Sequence, residues 1–82
     1  MKITTEGLIT IITDALDADD VITVDSSMEN ITEWDSLGHL SVLTSLDQAT
    51  EGKASAISDL GESSSVKEII SILRKENLID ES

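Results

Sequence analysis

The chain has 82 residues, no cysteine, a single tryptophan as its only aromatic residue, and 17 acids against 5 bases, giving a net charge of −12. Neither a disulfide nor a thiolate metal site is available, and no apolar run approaches the ~18 residues of a membrane span. Nucleic acid is a poor partner for so acidic a chain, because phosphate backbones demand Lys and Arg.

A single domain over residues 1–82 is expected, with a core of branched aliphatics. No signal-peptide pattern precedes the first helix, so the cytoplasm is the expected compartment. The acidity has two readings: it keeps a small protein soluble, or it steers the protein toward a basic protein surface.

Residues 2–16 are predicted to form the first helix. Leu8, Ile11, Ile12, Ala15 and Leu16 follow helical spacing, and Ile3 extends the stripe backward. The stretch "DADDVITVDSSMENITEWD" breaks that period and reads as a long loop to Asp35, packed by a few apolar side chains. Asp17 and Asp19 open an EF-hand-like spacing. Ile22, however, stands where such a loop needs glycine, and Met28 where it needs the closing glutamate. No built metal site is expected, although loose surface binding of divalent ions stays open.

The second helix is expected from Ser36 to about Ala49, with Asp35 as its N-cap. Placed on a wheel, Leu40, Leu43, Leu46, Val42 and Ala49 share one apolar arc. Leu37 falls among polar residues and should be at least partly exposed. His39 falls inside the apolar arc. It is either a core-edge histidine bonded to a backbone carbonyl or water, or a residue lining a groove that reaches toward Ser36. A Ser36–His39 nucleophilic pair has no third orienting group and no G-x-S-x-G elbow, so no catalytic residue is assigned. Ser36 itself is either a serine that tolerates a helix start, or a hydroxyl placed where free N–H groups favour an attached phosphate.

A short helical turn is expected near Ile57 to Leu60, closed by Gly61. Ser65 and Glu68 form an S-x-x-E capping box for the last helix. Val66, Ile69, Ile70 and Leu73 supply its apolar stripe, and Arg74 and Lys75 complement its C-terminal dipole. No strand is expected. The fold class is all-α: a small four-helix bundle of three longer helices and one short helix, with a long first loop.

The segment "EWDSLGHLSVLTSL" resembles the modification segment of acyl carrier proteins and the related peptidyl carrier domains. Their Asp-Ser-Leu motif holds the serine that receives 4'-phosphopantetheine, and the likeness in element order covers nearly the whole chain. The resemblance implies that Ser36 carries the arm through a phosphodiester. It implies that Asp35 presents Ser36 to a phosphopantetheinyl transferase and its magnesium ion, and that Leu37 is an apolar contact for partner enzymes. Asp47 would add an acidic contact, and His39, Leu40 and Leu43 would line a cavity for the arm or its cargo.

By the same resemblance the chain is no enzyme but a free-standing, monomeric bacterial carrier. It would hold acyl or aminoacyl groups as thioesters for a loading ligase or transferase and for downstream synthases of lipid, polyketide or related pathways. Helix two carries only Asp47 and, at its end, Glu51, and phenylalanine is absent. With Gly38-His39-Leu40 after the motif, these departures point to a specialised carrier rather than a housekeeping fatty-acid one. The alternative is an unmodified acidic helical adaptor that binds a basic protein.

Overall fold

The computed structural model describes residues 2–80. The chain is mostly helical, with β1 (Ile3–Thr4), α1 (Thr5–Leu16), α2 (Ser36–Ala49), a 3-10 turn (Ala54–Ala56), α3 (Asp59–Glu62), α4 (Val66–Lys75) and β2 (Ile79–Asp80). The first helix starts three residues later than expected. The Thr4 hydroxyl accepts the Gly7 N–H at 2.9 Å and caps it, while Ile3 is extended.

The expectation of no strand is overturned. β1 and β2 pair in parallel with Ile3 opposite Ile79, and the Ile3 N–H donates to the Leu78 carbonyl at 2.9 Å. Two residues have no readable period, and their pairing joins the two ends of the chain. No local signal could reveal it.

Leu8, Ile12 and Leu16 of α1 meet Val42 and Leu46 of α2, Leu60 of α3, and Val66, Ile69 and Leu73 of α4 in one core. Trp34 enters that core from the first loop with 1% of its surface exposed. Burying such side chains contributes about 1.5–3 kcal/mol each relative to exposure, which offsets the cost of ordering the backbone.

The long first loop is built rather than loose. Ile22 and Ile31 anchor it in the core, whereas Val21 and Val24 stay exposed. The Ser26 hydroxyl accepts the Thr23 N–H at 2.9 Å, and the Asn30 side-chain carbonyl accepts the Ser27 N–H at 2.9 Å. The loop is then laced to the start of α4. The Met28 N–H donates to the Ser64 carbonyl at 2.9 Å, and the Val66 N–H to the Ser26 carbonyl at 3.0 Å. An exposed Lys67–Asp25 ion pair lies beside this seam and contributes little.

All three longer helices close in the same way. After α1, the Ala18 N–H donates to the Thr13 carbonyl and the Asp17 N–H to the Asp14 carbonyl, with Asp17 left-handed at φ 51°. After α4, the Leu78 N–H donates to the Leu73 carbonyl and the Asn77 N–H to the Arg74 carbonyl, with Asn77 left-handed at φ 60°. After α2, the Gly52 N–H donates to the Asp47 carbonyl and the Glu51 N–H to the Gln48 carbonyl, with Glu51 left-handed at φ 56°. The next turn is locked by Thr50. Its buried hydroxyl donates to the Leu46 carbonyl at 2.8 Å and accepts the Ala54 N–H at 2.9 Å.

Two expectations for this middle region need correction. The short helix spans 59–62, so Gly61 lies inside it rather than closing it. On α2, Leu40 is 60% exposed and Ala49 is also exposed, although the wheel placed both on the apolar arc. The reason is that α2 packs chiefly against one helix, α1, and is otherwise covered mainly by the 3-10 turn and the short α3. Its inward face is therefore narrower than the apolar arc, and Leu43 is only half-buried.

Candidate functional site

α2 begins where the loop descends from Trp34. One Asp35 oxygen accepts the Gly38 N–H at 2.8 Å, and the Asp35 carbonyl accepts the His39 N–H at 2.8 Å. The N–H groups of Ser36 and Leu37, the first two of the helix, have no acceptor within it. Ser36 is exposed at this end, beside the positive pole of the helix.

Gly38 is fixed by close approach. A Cβ there would run into the Glu33 carbonyl oxygen and come within 2.8 Å of the Leu16 side chain. Only the absence of a side chain lets the incoming loop lie flat against the first turn of α2 and hold Ser36 at its outer edge.

Leu37 is 76% exposed, beside Ser36. His39 turns inward and is 6% exposed. Its Nδ1 accepts the indole N–H of Trp34 at 3.0 Å, so its Nε2 must carry the proton that it shares with the Leu60 carbonyl at 2.9 Å. The two rings lie nearly parallel, with centroids 6.1 Å apart. One imidazole thus ties the loop, α2 and α3 together, and both its nitrogens are engaged. It is the carbonyl-bonded histidine that the sequence allowed, and it also forms part of a groove wall. Its indole donor was missed: Trp34 and His39 are five residues apart across a helix start, a separation that no helical or strand period marks.

Between the start of α2 and α3 runs a groove of about 390 Å³, with Ser36, His39, Leu40 and Leu43 on one side and Met28 and Glu62 among its other walls. The structure therefore brings Ser36 together with His39, Leu40 and Leu43, the residues expected to line a cavity, and sets Leu37 beside them on the outer surface. Asp47 lies apart from this group. It is half-buried, and one of its oxygens accepts the Ser55 N–H at 3.1 Å, so it braces the connection after α2. Met28 and Glu62 were not anticipated: Met28 reaches the groove through the lacing of the loop to the segment before α4, and Glu62 through α3, which the His39–Leu60 bond holds against α2.

No three histidine, cysteine or acidic side chains group as a metal site among the described residues, and none of the described helices is long and apolar enough to cross a membrane. Comparison with protein-family models, with curated proteins and with solved structures finds no match to this chain.

Proposed function

We propose that this protein is a carrier that holds acyl or aminoacyl groups as thioesters on a 4'-phosphopantetheine arm attached to Ser36. The observation that carries the reading is the placement of Ser36. It is an exposed hydroxyl at the first position of a capped helix, flanked by two open N–H groups and an exposed leucine, and it sits at the mouth of a groove.

The residues fit such a group. The open N–H groups of Ser36 and Leu37 suit a phosphodiester. Met28, Leu40 and Leu43 offer apolar surface for the arm, and its thiol supplies the thioester linkage that a cysteine-free chain cannot form by itself. Under this reading the four helices form the bundle of a carrier domain, monomeric and cytoplasmic, and Leu37 and Leu40 are the contacts that partner enzymes read.

Attachment takes coenzyme A as co-reactant. The Ser36 oxygen forms a bond to the phosphorus, the pyrophosphate linkage breaks, 3',5'-ADP leaves, and the hydroxyl proton passes to a base of the transferase. Under this reading that base is not supplied by this chain, because the one histidine near Ser36 has both nitrogens committed. Asp35 keeps its helix cap through one oxygen, and its other oxygen would meet the transferase.

Incubation with coenzyme A and a broad-specificity phosphopantetheinyl transferase tests the proposal. Intact mass should rise by one arm in the native protein and not in Ser36→Ala. Unchanged mass in both would leave the unmodified adaptor as the reading.

A further inference from the structure

Trp34 and His39 stand on either side of the turn that carries Ser36. The indole N–H of Trp34 donates to Nδ1 of His39 at 3.0 Å, so the bond closes a short ring of chain around residues 35–38. The other nitrogen, Nε2, donates to the Leu60 carbonyl at 2.9 Å. Leu60 is the one buried residue of α3, so this four-residue helix is anchored by a single core side chain and by that bond.

The arrangement works in one protonation state. Nδ1 must be bare to accept, and Nε2 must carry the proton. A second proton, taken from solvent at Nδ1, sets one N–H against another, and the bond to the indole is lost. The Leu60 carbonyl tolerates release, because it also accepts the Ser63 hydroxyl at 2.7 Å and the Ser63 N–H at 3.2 Å.

The surroundings favour the charged ring once it leaves. The loop, α2 and α3 contain no lysine or arginine. Glu62 lines the same groove as His39, Asp35 caps the turn, Glu33 precedes Trp34 and Asp59 precedes Leu60. From α1, the apolar Leu16 meets this turn. His39 is the one histidine and cysteine is absent, so no other side chain is of a type that ordinarily changes charge between about pH 5 and 8.

We propose that His39 is a positioning residue for Ser36 and an acid-operated latch. As the neutral imidazole it ties the Ser36 turn to the loop and α3 to α2. As the imidazolium it leaves the core toward Glu62, and the turn and the groove wall loosen together. The latch rests on geometry alone; its effect on arm transfer rests on the carrier reading above.

The whole protein, titrated by nuclear magnetic resonance from about pH 8 to 5, tests the latch. One tryptophan and one histidine give one indole N–H resonance and one set of imidazole ring resonances. The indole N–H, the ring protons and the amides of Leu60, Gly61 and Glu62 should move in one step with a common midpoint. Glu62→Gln removes the carboxylate that receives the charged ring, so the step should move to lower pH. His39→Gln has an amide that can accept and donate but does not titrate, so the step should vanish. Arm transfer from coenzyme A is timed at each pH for the native protein and for His39→Gln, and the ratio of rates cancels the pH dependence of the transferase. That ratio should fall several-fold through the step.

Ring protons that titrate while the indole and α3 amides stay still, a step that persists in His39→Gln, or no step at all would each overturn the latch. A step with a flat ratio of transfer rates would overturn the positioning role. Should His39→Gln fail to fold, the native titration and Glu62→Gln still decide the latch. No gain of mass on Ser36 at any pH overturns the carrier reading instead, and the resonance step then decides the latch by itself.

Discussion

The indole N–H of Trp34 donates to Nδ1 of His39 at 3.0 Å inside the core, and the opposite nitrogen of the same ring holds the Leu60 carbonyl at 2.9 Å. A buried imidazole is tolerated here because every polar atom of the pair is matched. The two bonds also fix the geometry of the site, since together they join the loop before Ser36 to α2 and to the short helix that forms the far wall of the groove.

Trp34→Phe keeps most of the ring volume but removes the donor, leaving Nδ1 buried and unpaired. The expected loss is about 1–3 kcal/mol of unfolding free energy, read from urea denaturation followed by circular dichroism. A variant within about 0.5 kcal/mol of the native protein, the range of an ordinary surface change, would mean that the bond contributes nothing.

Gly38→Ala tests the close approach at the start of α2. The added methyl meets a backbone oxygen, which cannot rotate away, and the Leu16 side chain, which can. Overpacking of this kind costs about 1–3 kcal/mol. Arm transfer to Ser36 should slow by more than the folded fraction explains, because the helix start must tilt to relieve the contact. Native stability with native transfer would refute the steric account.

Much of this was legible in the chain. Asp35 and Ser65 each announced a helix start, and the structure gives both a cap bond to the N–H three residues on. Leu37 broke the wheel and is exposed. What was hidden depends on pairings distant in sequence: the β1–β2 contact, the loop laced to α4, and the Trp34–His39–Leu60 chain. The misplacement of Leu40 and Ala49 has the same origin. A wheel shows which residues share a face, but not how much of that face a neighbour covers.

The end of α2 offers a stabilising change. Glu51 is left-handed at φ 56°, where a side chain costs roughly 1–2 kcal/mol that glycine does not incur. Part of that gain is lost to the greater freedom of glycine in the unfolded chain. Glu51→Gly should therefore raise stability by about 0.5–1 kcal/mol, with an unchanged denaturant slope. A decrease would show that the Glu51 side chain makes a compensating contact.

At the start of α4, the Glu68 carboxylate accepts from the Ser64 hydroxyl at 2.7 Å and from the Ser64 N–H at 3.2 Å. These bonds, the hydroxyl first, hold it below its ordinary value of 4.5, with a smaller contribution from the Ser65 hydroxyl. A carboxylate lowered in the folded state adds stability above its unfolded pKa and loses it as pH falls through the folded one. Glu68→Gln should therefore be less stable than the native protein at pH 7, and the gap should close as pH falls below about 4.5. Parallel urea midpoints across that range would show that the Ser64 bonds do not favour the charged form.

Leu37 separates recognition from folding. With 76% of its surface exposed, it contributes little to the core, and Leu37→Glu should change stability by no more than about 0.5 kcal/mol. A partner enzyme that buries this leucine while reaching Ser36 would instead meet a charge in an apolar contact. The loss of one such contact, about 1.4 kcal/mol, corresponds to roughly a tenfold lower rate of arm transfer per unit transferase. Side-by-side urea melts and mass-based transfer rates measure both quantities on one preparation. Slowed transfer with native stability is the expected pattern; equal losses in both would place Leu37 among the residues that hold the fold, and unchanged transfer would remove it from the partner surface.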